Sequence, residues 1–273
     1  YIKYFDISAA EAKKEQYLYF EGVDSCFYVW INGKFVGYSE DSFTPSEFDI
    51  TDYVKEKDNK LAVEVYKRSS ASWIEDQDFW RFSGIFRDVY IYAEPETHVY
   101  DLDFRADFDY KNNSALLKSK IKFTGSTDNK FKINIKTPNG NEKTLCEGTT
   151  AKDIQFENKL NNLKPWSGEE PNLYELVVYV LDKEERIIEI ASTEYGFRRF
   201  EIKNKIMCLN GKRIIFKGVN RHEFSATRGR AITKEEMLYD IKFMKRNNIN
   251  AVRTSHYPNQ SLWYRLCDEY GIY

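Results

Sequence analysis

The sequence predicts a multidomain, mainly-β chain: an all-β sandwich, an immunoglobulin-like β-sandwich, and then the first units of a parallel α/β barrel. Three observations carry that reading. The first two-thirds of the 273 residues are short runs of β-branched and aromatic residues with no helical periodicity between them. Turn-forming residues punctuate those runs. After Glu201 the pattern changes to strand, helix, strand, helix, which belongs to parallel α/β structure.

In the first segment, residues 1–95, strands are expected at Tyr17–Phe20, Cys26–Ile31, Leu61–Tyr66 and Val89–Tyr92. Asn32-Gly33 is an Asn-Gly pair, the strongest type of short hairpin turn signal. Tyr1 to Phe5 reads like the middle of a strand pattern, so further chain is expected before it. Pro95 begins the second segment, residues 96–200, with strands such as Leu116–Phe123, Phe131–Lys136 and Leu173–Leu181 and a turn at Pro138-Asn139-Gly140-Asn141. About seven such strands in about 100 residues suit an immunoglobulin-like sandwich. The third segment, residues 201–273, predicts a strand at Arg213–Val219. A capping box follows at Thr233-Lys234-Glu235-Glu236, opening a helix whose apolar face is Met237, Leu238, Ile241, Phe243 and Met244. A strand at Asn250–Thr254 follows, then a helix capped by Asn259 and stopped at Gly271, then the start of a third strand at Ile272-Tyr273. Two and a fraction units cannot close a barrel, so the sequence is expected to stop in mid-domain.

Composition narrows the function classes. Lys plus Arg is 41 and Asp plus Glu is 43, a net charge of −2 without single-sign blocks. Such a balance gives no electrostatic reason to expect nucleic acid or an anionic membrane as partner. No apolar run approaches the roughly 18 residues of a membrane helix, and no signal-peptide pattern opens the chain. Cys26, Cys146, Cys208 and Cys267 have no metal-binding spacing and suit a reduced, cytoplasmic setting. Aromatics make up 16% of the chain, which fits β-sheet composition first and sugar stacking second.

Three clusters carry chemistry. Glu75-Asp76-Gln77-Asp78-Phe79-Trp80-Arg81 packs three carboxylates, an amide, an indole and a guanidinium into seven residues. It reads either as a solvated loop with a local Arg81–Asp pair or as a site for a polyol or hard cation. Gly218-Val219-Asn220-Arg221-His222-Glu223 and Val252-Arg253-Thr254-Ser255-His256-Tyr257-Pro258-Asn259 each place a histidine at the C-terminal end of a predicted strand. Two of the chain's three histidines thus fall where α/β barrels build their active sites.

These clusters give the sequence its resemblance. Gly22-Val23-Asp24-Ser25, Trp30-Ile31-Asn32-Gly33, Gly37-Tyr38 and Pro45-Ser46-Glu47-Phe48-Asp49 resemble the jelly-roll sugar-binding domain of glycoside hydrolase family 2 β-galactosidases. Glu75-Asp76-Gln77-Asp78 with Trp80-Arg81, and Ser83 through Val89, are similar to that family's signature, as are both histidine clusters. Trp166-Ser167, Pro171-Asn172-Leu173-Tyr174 and Gly196-Phe197-Arg198 resemble its central immunoglobulin-like domain, and the last segment resembles the start of its TIM (β/α)8 barrel.

The resemblance implies a retaining enzyme that hydrolyses terminal β-D-galactosides of the lactose type through two glutamates about 5–5.5 Å apart. Both are expected beyond Tyr273, so no catalytic residue is assigned here and the chain alone is expected to be inactive. It implies that Asp78 holds a galactosyl hydroxyl and helps ligate sodium, that His222 and His256 bond sugar hydroxyls, and that Arg253 and Asn220 support them. An oriented neutral imidazole can both donate and accept, which suits a hydroxyl. Na+ and Mg2+ are implied for the full enzyme, neither completed by this chain. Glu40 and Ser70 stand where some members carry a peripheral magnesium set, and no magnesium is assigned to them. A homo-oligomer is implied as well. Phe224-Ser225 departs from the family, which commonly places a further histidine there. The alternatives are another family 2 specificity, β-glucuronidase or β-mannosidase, and a non-catalytic carbohydrate-binding module. The former are expected to lack the Glu-Asp-Gln-Asp loop, and the latter has no use for a barrel start.

Overall fold

The computed structural model describes residues 1–273. Antiparallel ladders dominate it. In the first segment one sheet orders strands Ile2–Phe5, Asn59–Tyr66, Cys26–Ile31 and Lys34–Glu40, and a second orders Ser46–Asp49, Glu15–Phe20 and Val89–Glu94. Period-two alternation sends Leu18, Phe20, Phe27, Val29, Ile31, Leu61 and Val63 into one core. The Asn32-Gly33 hairpin forms as expected. Both residues have positive φ, 52° and 80°, so the turn's twist matches that of its strands.

The second sandwich has seven strands. Three, His98–Asp109, Ser114–Thr124 and Asp153–Leu160, form one sheet, and four, Glu142–Thr149, Lys130–Lys136, Tyr174–Leu181 and Ile187–Tyr195, form the other. Phe108, Leu117, Ile121, Ile133, Leu176, Val178 and Phe197 fill the core. The Trp166 and Gly196-Phe197-Arg198 motifs meet here. Trp166 is 1% exposed, Arg198 lies 4.5 Å over its ring, and its indole N–H donates to the Asp268 carbonyl at 2.8 Å. A side chain at position 196 would place its Cβ 2.8 Å from Trp166, so glycine is required by contact.

The third segment departs from the sequence reading at its first strand. Residues 213–219 do not form one strand. Phe200–Lys203, Ile206–Leu209 and Lys212–Arg213 make a small antiparallel sheet, and a separate strand runs Gly218–Arg221. Pairing of Cys208 with Arg213 takes Arg213 into that meander. The next strand, Ala251–Thr254, pairs with Gly218–Arg221. Asn250 N–H donates to Lys217 O and Ser255 N–H to Arg221 O, so the two strands run in the same direction. Helix α1, Lys234–Arg246, begins with its capping box formed: Thr233 N–H donates to Glu236 Oε2 at 2.9 Å, and Glu236 N–H to Thr233 Oγ1 at 3.4 Å. Helix α2 spans Ser261–Tyr270, with Gly271 at φ 70° behind it. Asn259 does not cap it, because its amide oxygen is taken by Arg221 Nη1 at 3.0 Å. Residues 272 and 273 form no strand, although Tyr273 N–H donates to Asn250 O.

The chain divides into two compact units. One comprises 1–94, 218–246 and 252–264, the other 95–217, 247–251 and 265–273. All the candidate site residues fall in the first. No helix is long and apolar enough to cross a membrane.

Candidate functional site

The 75–81 loop resolves into separate roles once its partners are visible. Glu75 accepts the Ser42 N–H at 2.6 Å and the Ser42 hydroxyl at 2.9 Å. Asp76 pairs with Arg81, the local ion pair expected of a solvated loop. Asp78 is the remaining carboxylate. It is exposed, and its negative charge acts on the His222 imidazole. The next aromatic, Trp80, stacks on Phe224 at 4.4 Å and 24°, and meets the His222 ring edge-on at 5.4 Å.

His222 follows the strand Gly218–Arg221 by one residue, and His256 follows Ala251–Thr254 by two. Because those strands are adjacent and co-directional, their C-terminal ends bring the two imidazoles to a centroid distance of 5.6 Å at 87°. Burial and the neighbouring His256 lower the His222 pKa below its ordinary value, while Asp78 opposes the shift. Arg253, on the second strand, places Nη1 2.6 Å from His256 Nδ1. Asn220 lies exposed on the first strand, two residues before His222. Asp78, Trp80, His222, His256 and Arg253 are therefore linked by contacts or charge, whereas Asn220 shares only the strand.

Several residues that hold this arrangement were not singled out from the sequence. Tyr257 stacks on Phe43 at 4.2 Å and 18°, and its hydroxyl lies 3.4 Å from His222 Nδ1. Arg230 is 5% exposed and lies within 6 Å of the ring centroids of Phe43, Phe79, Phe82, Phe86 and Tyr257. It donates to the Trp80 carbonyl and to Asp24 Oδ2, fixing the loop from beneath. Arg87 and Glu223 form a buried pair at 2.8 Å with side chains 2% and 1% exposed. Phe224 supplies the surface on which Trp80 rests. The repeated aromatics of Phe79-Trp80-Arg81-Phe82 and Phe86 are the sequence signal that could have pointed to Arg230's cage.

For the implied cations, Asp78 offers one hard, exposed carboxylate, which suits an alkali ion as one ligand of a larger set. Glu40 receives the Ser70 hydroxyl at 2.9 and 3.0 Å on its two oxygens, so these residues do meet at the surface, again with a single carboxylate.

Two β-sandwiches are thus followed by a strand–helix–strand unit with a histidine just after each of its two strands. Three family models match in succession: the glycosyl hydrolases family 2 sugar-binding domain over residues 1–95, the glycosyl hydrolases family 2 domain over 97–198, and the family 2 TIM barrel domain over 200–273. The chain belongs to glycoside hydrolase family 2. It is 59% identical, over its whole length, to 30% of a β-galactosidase from Clostridium acetobutylicum. It is 47% identical, again over its whole length, to 44% of a β-galactosidase large subunit from Lactobacillus helveticus. The chain thus spans between about a third and a half of the length of such relatives. Among solved structures, a β-glycosidase from Bacteroides vulgatus superposes with TM-score 0.89 at 30% identity, covering 100% of this chain and 35% of that one. β-Glucuronidase 3 from Bacteroides uniformis superposes with TM-score 0.90 at 24% identity, covering 99% and 36%, a likeness of fold alone.

Proposed function

We propose that the protein carrying this chain is a retaining β-galactosidase, and that this chain contributes part of the galactose subsite. The observation that carries the proposal is the convergence of Asp78, Trp80, His222 and His256 at the C-terminal ends of adjacent, co-directional strands. In this reading the Asp78 carboxylate accepts a galactosyl hydroxyl, the two imidazoles bond further hydroxyls, and the Trp80 indole presents an apolar face to sugar C–H groups. Arg253 and Asn220 act in support. Asp78 would be the chain's ligand to a sodium ion that anchors a sugar hydroxyl, with the other ligands and any magnesium set supplied from elsewhere. No disulfide joins the four cysteines, which supports a cytoplasmic setting, and relatives named as large subunits support an enzyme of more than one subunit. Such hydrogen bonds accelerate hydrolysis to the extent that they strengthen as the sugar distorts toward the transition state.

The test is turnover of matched aryl β-galactoside and β-glucuronide by the protein that contains this chain, beside its Asp78→Ala variant. The galactoside is expected to be preferred, and Asp78→Ala to lose about a hundredfold in kcat/KM, or about 2.7 kcal/mol. The 273-residue chain assayed alone is expected to turn over neither. Preference for the glucuronide, or a neutral Asp78→Ala, refutes the assignment.

A further inference from the structure

Each site imidazole has one ring nitrogen already engaged, and in both it is Nδ1. The Arg253 guanidinium carries donors only, and its Nη1 stands 2.6 Å from His256 Nδ1. That nitrogen must accept, which leaves the His256 ring proton on Nε2. His222 Nδ1 faces the Tyr257 hydroxyl at 3.4 Å. The same phenolic oxygen accepts the Glu223 backbone N–H at 3.1 Å. Tyr257 is 6% exposed, and burial raises its pKa, so the phenol keeps its proton. A buried O–H requires an acceptor, and His222 Nδ1 is the one beside it. A proton on that nitrogen would set N–H against O–H.

The geometry points to Tyr257 and Arg253 as positioning residues that hold His222 and His256 as neutral Nε2–H tautomers, so that the site offers two imidazole N–H donors and no imidazole acceptor. An imidazole with both nitrogens open can donate and accept, and here only the donor is left for a ligand. It deepens the galactoside reading and rests on it only for the identity of the ligand. The two donors suit oxygen acceptors, that is, hydroxyl lone pairs or an oxygen gaining negative charge. The acceptor role toward a sugar hydroxyl's proton falls to Asp78 instead.

The third histidine supplies an internal reference. His98 Nδ1 lies 2.9 Å from the Pro95 carbonyl, which can only accept, so that nitrogen carries a proton, and the Thr124 hydroxyl lies 2.8 Å from Nε2 and 3.1 Å from Nδ1. His98 is therefore the opposite, Nδ1–H tautomer.

The experiment is long-range proton–nitrogen correlation NMR on the 273-residue chain carrying 15N-histidine, without ligand, at pH about 7.5. Two histidines are expected in the Nε2–H pattern and one in the Nδ1–H pattern. Tyr257→Phe keeps the ring on Phe43 and removes only the hydroxyl. It is expected to shift His222 toward Nδ1–H while His256 and His98 stay unchanged. Arg253→Met is expected to release His256 in the same way, and Arg253→Lys, which retains a donor, to keep it fixed. A wild-type spectrum with either site histidine as Nδ1–H overturns the proposal without need of any variant. So does a His222 pattern indifferent to Tyr257→Phe. Because no substrate enters the measurement, its failure leaves the galactoside assignment standing, and failure of the galactoside assay leaves the tautomers as measured.

Discussion

Glu75, Asp76 and Asp78 are chemically near-equivalent in the sequence and unlike in the fold, because their neighbours differ. Ser42 engages the first, Arg81 the second, and the third acts on His222. Linkage at that imidazole has a definite sign. Burial lowers the folded-state pKa of His222 below its ordinary 6.5, so between the two values the unfolded chain binds more protons than the folded one. Stability contributed at this position is complete above pH about 6.5 and is lost as pH falls through that value toward the lower folded value. Chemical denaturation at pH 7.5 and 5.5 is therefore expected to show a smaller acid-side loss for His222→Gln than for the parent chain. An equal or larger loss refutes the assignment of that shift. Position at the ends of successive predicted strands singled out His222 and His256, whereas Asp78 and Arg253 were named only through the resemblance to family 2 motifs. Tyr257, Arg230 and Phe224 stayed hidden, because what they do depends on residues 35 to 214 positions away in the chain, at His222, Trp80 and Phe43.

At the scale of elements, the loop after Gly218–Arg221 is tied to its surroundings through Glu223. One carboxylate oxygen pairs with Arg87 at 2.8 Å, and the other accepts the Gln260 N–H just ahead of α2. Arg87 also donates to the carbonyls of Glu21, Phe43 and Pro258. Removing one partner of such a pair leaves a buried charge uncompensated, which costs about 3–5 kcal/mol. Glu223→Ala is expected to lower stability by that amount in urea unfolding, and a change under about 1 kcal/mol would show the pair to be solvated in practice. The strands of both sandwiches were legible because side chains on a half-buried strand alternate with period two, as Ala115, Leu117, Ser119, Ile121 and Phe123 do along Ser114–Thr124. The strand expected at 213–219 was misplaced for the converse reason. Ile214-Ile215-Phe216 is apolar without alternation, and a run of that kind carries no register; pairing of Cys208 with Arg213 decides it. Asn259 was read as a cap because Asn is a good one, but a guanidinium 38 residues away in sequence competes for the same oxygen.

Across the whole molecule, burial is unevenly spread, and stability should follow it. The two sandwiches close their cores, with Val29, Ile31, Leu117, Ile121, Ile133 and Leu176 wholly removed from solvent. In residues 201–273 only one side of the new elements is covered. Helix α1 buries Met237, Ile241 and Met244, but leaves Tyr239 67% and Phe243 52% exposed. The strand Gly218–Arg221 has three of its four residues exposed, and Ile215, Phe216 and Phe224 flank it in solvent. So much exposed apolar surface is unusual for a finished core and contributes nothing to holding these elements closed. Each opening of α1 breaks fewer buried contacts than an opening of Ser114–Thr124, which lies between two strands of its sheet. Native-state hydrogen exchange should accordingly rank amides of α1 below those of Ser114–Thr124 by at least about tenfold in protection, or about 1.4 kcal/mol. Equal protection would mean that residues 201–273 open only with the rest of the chain, and that the few contacts they make are cooperative with both sandwiches.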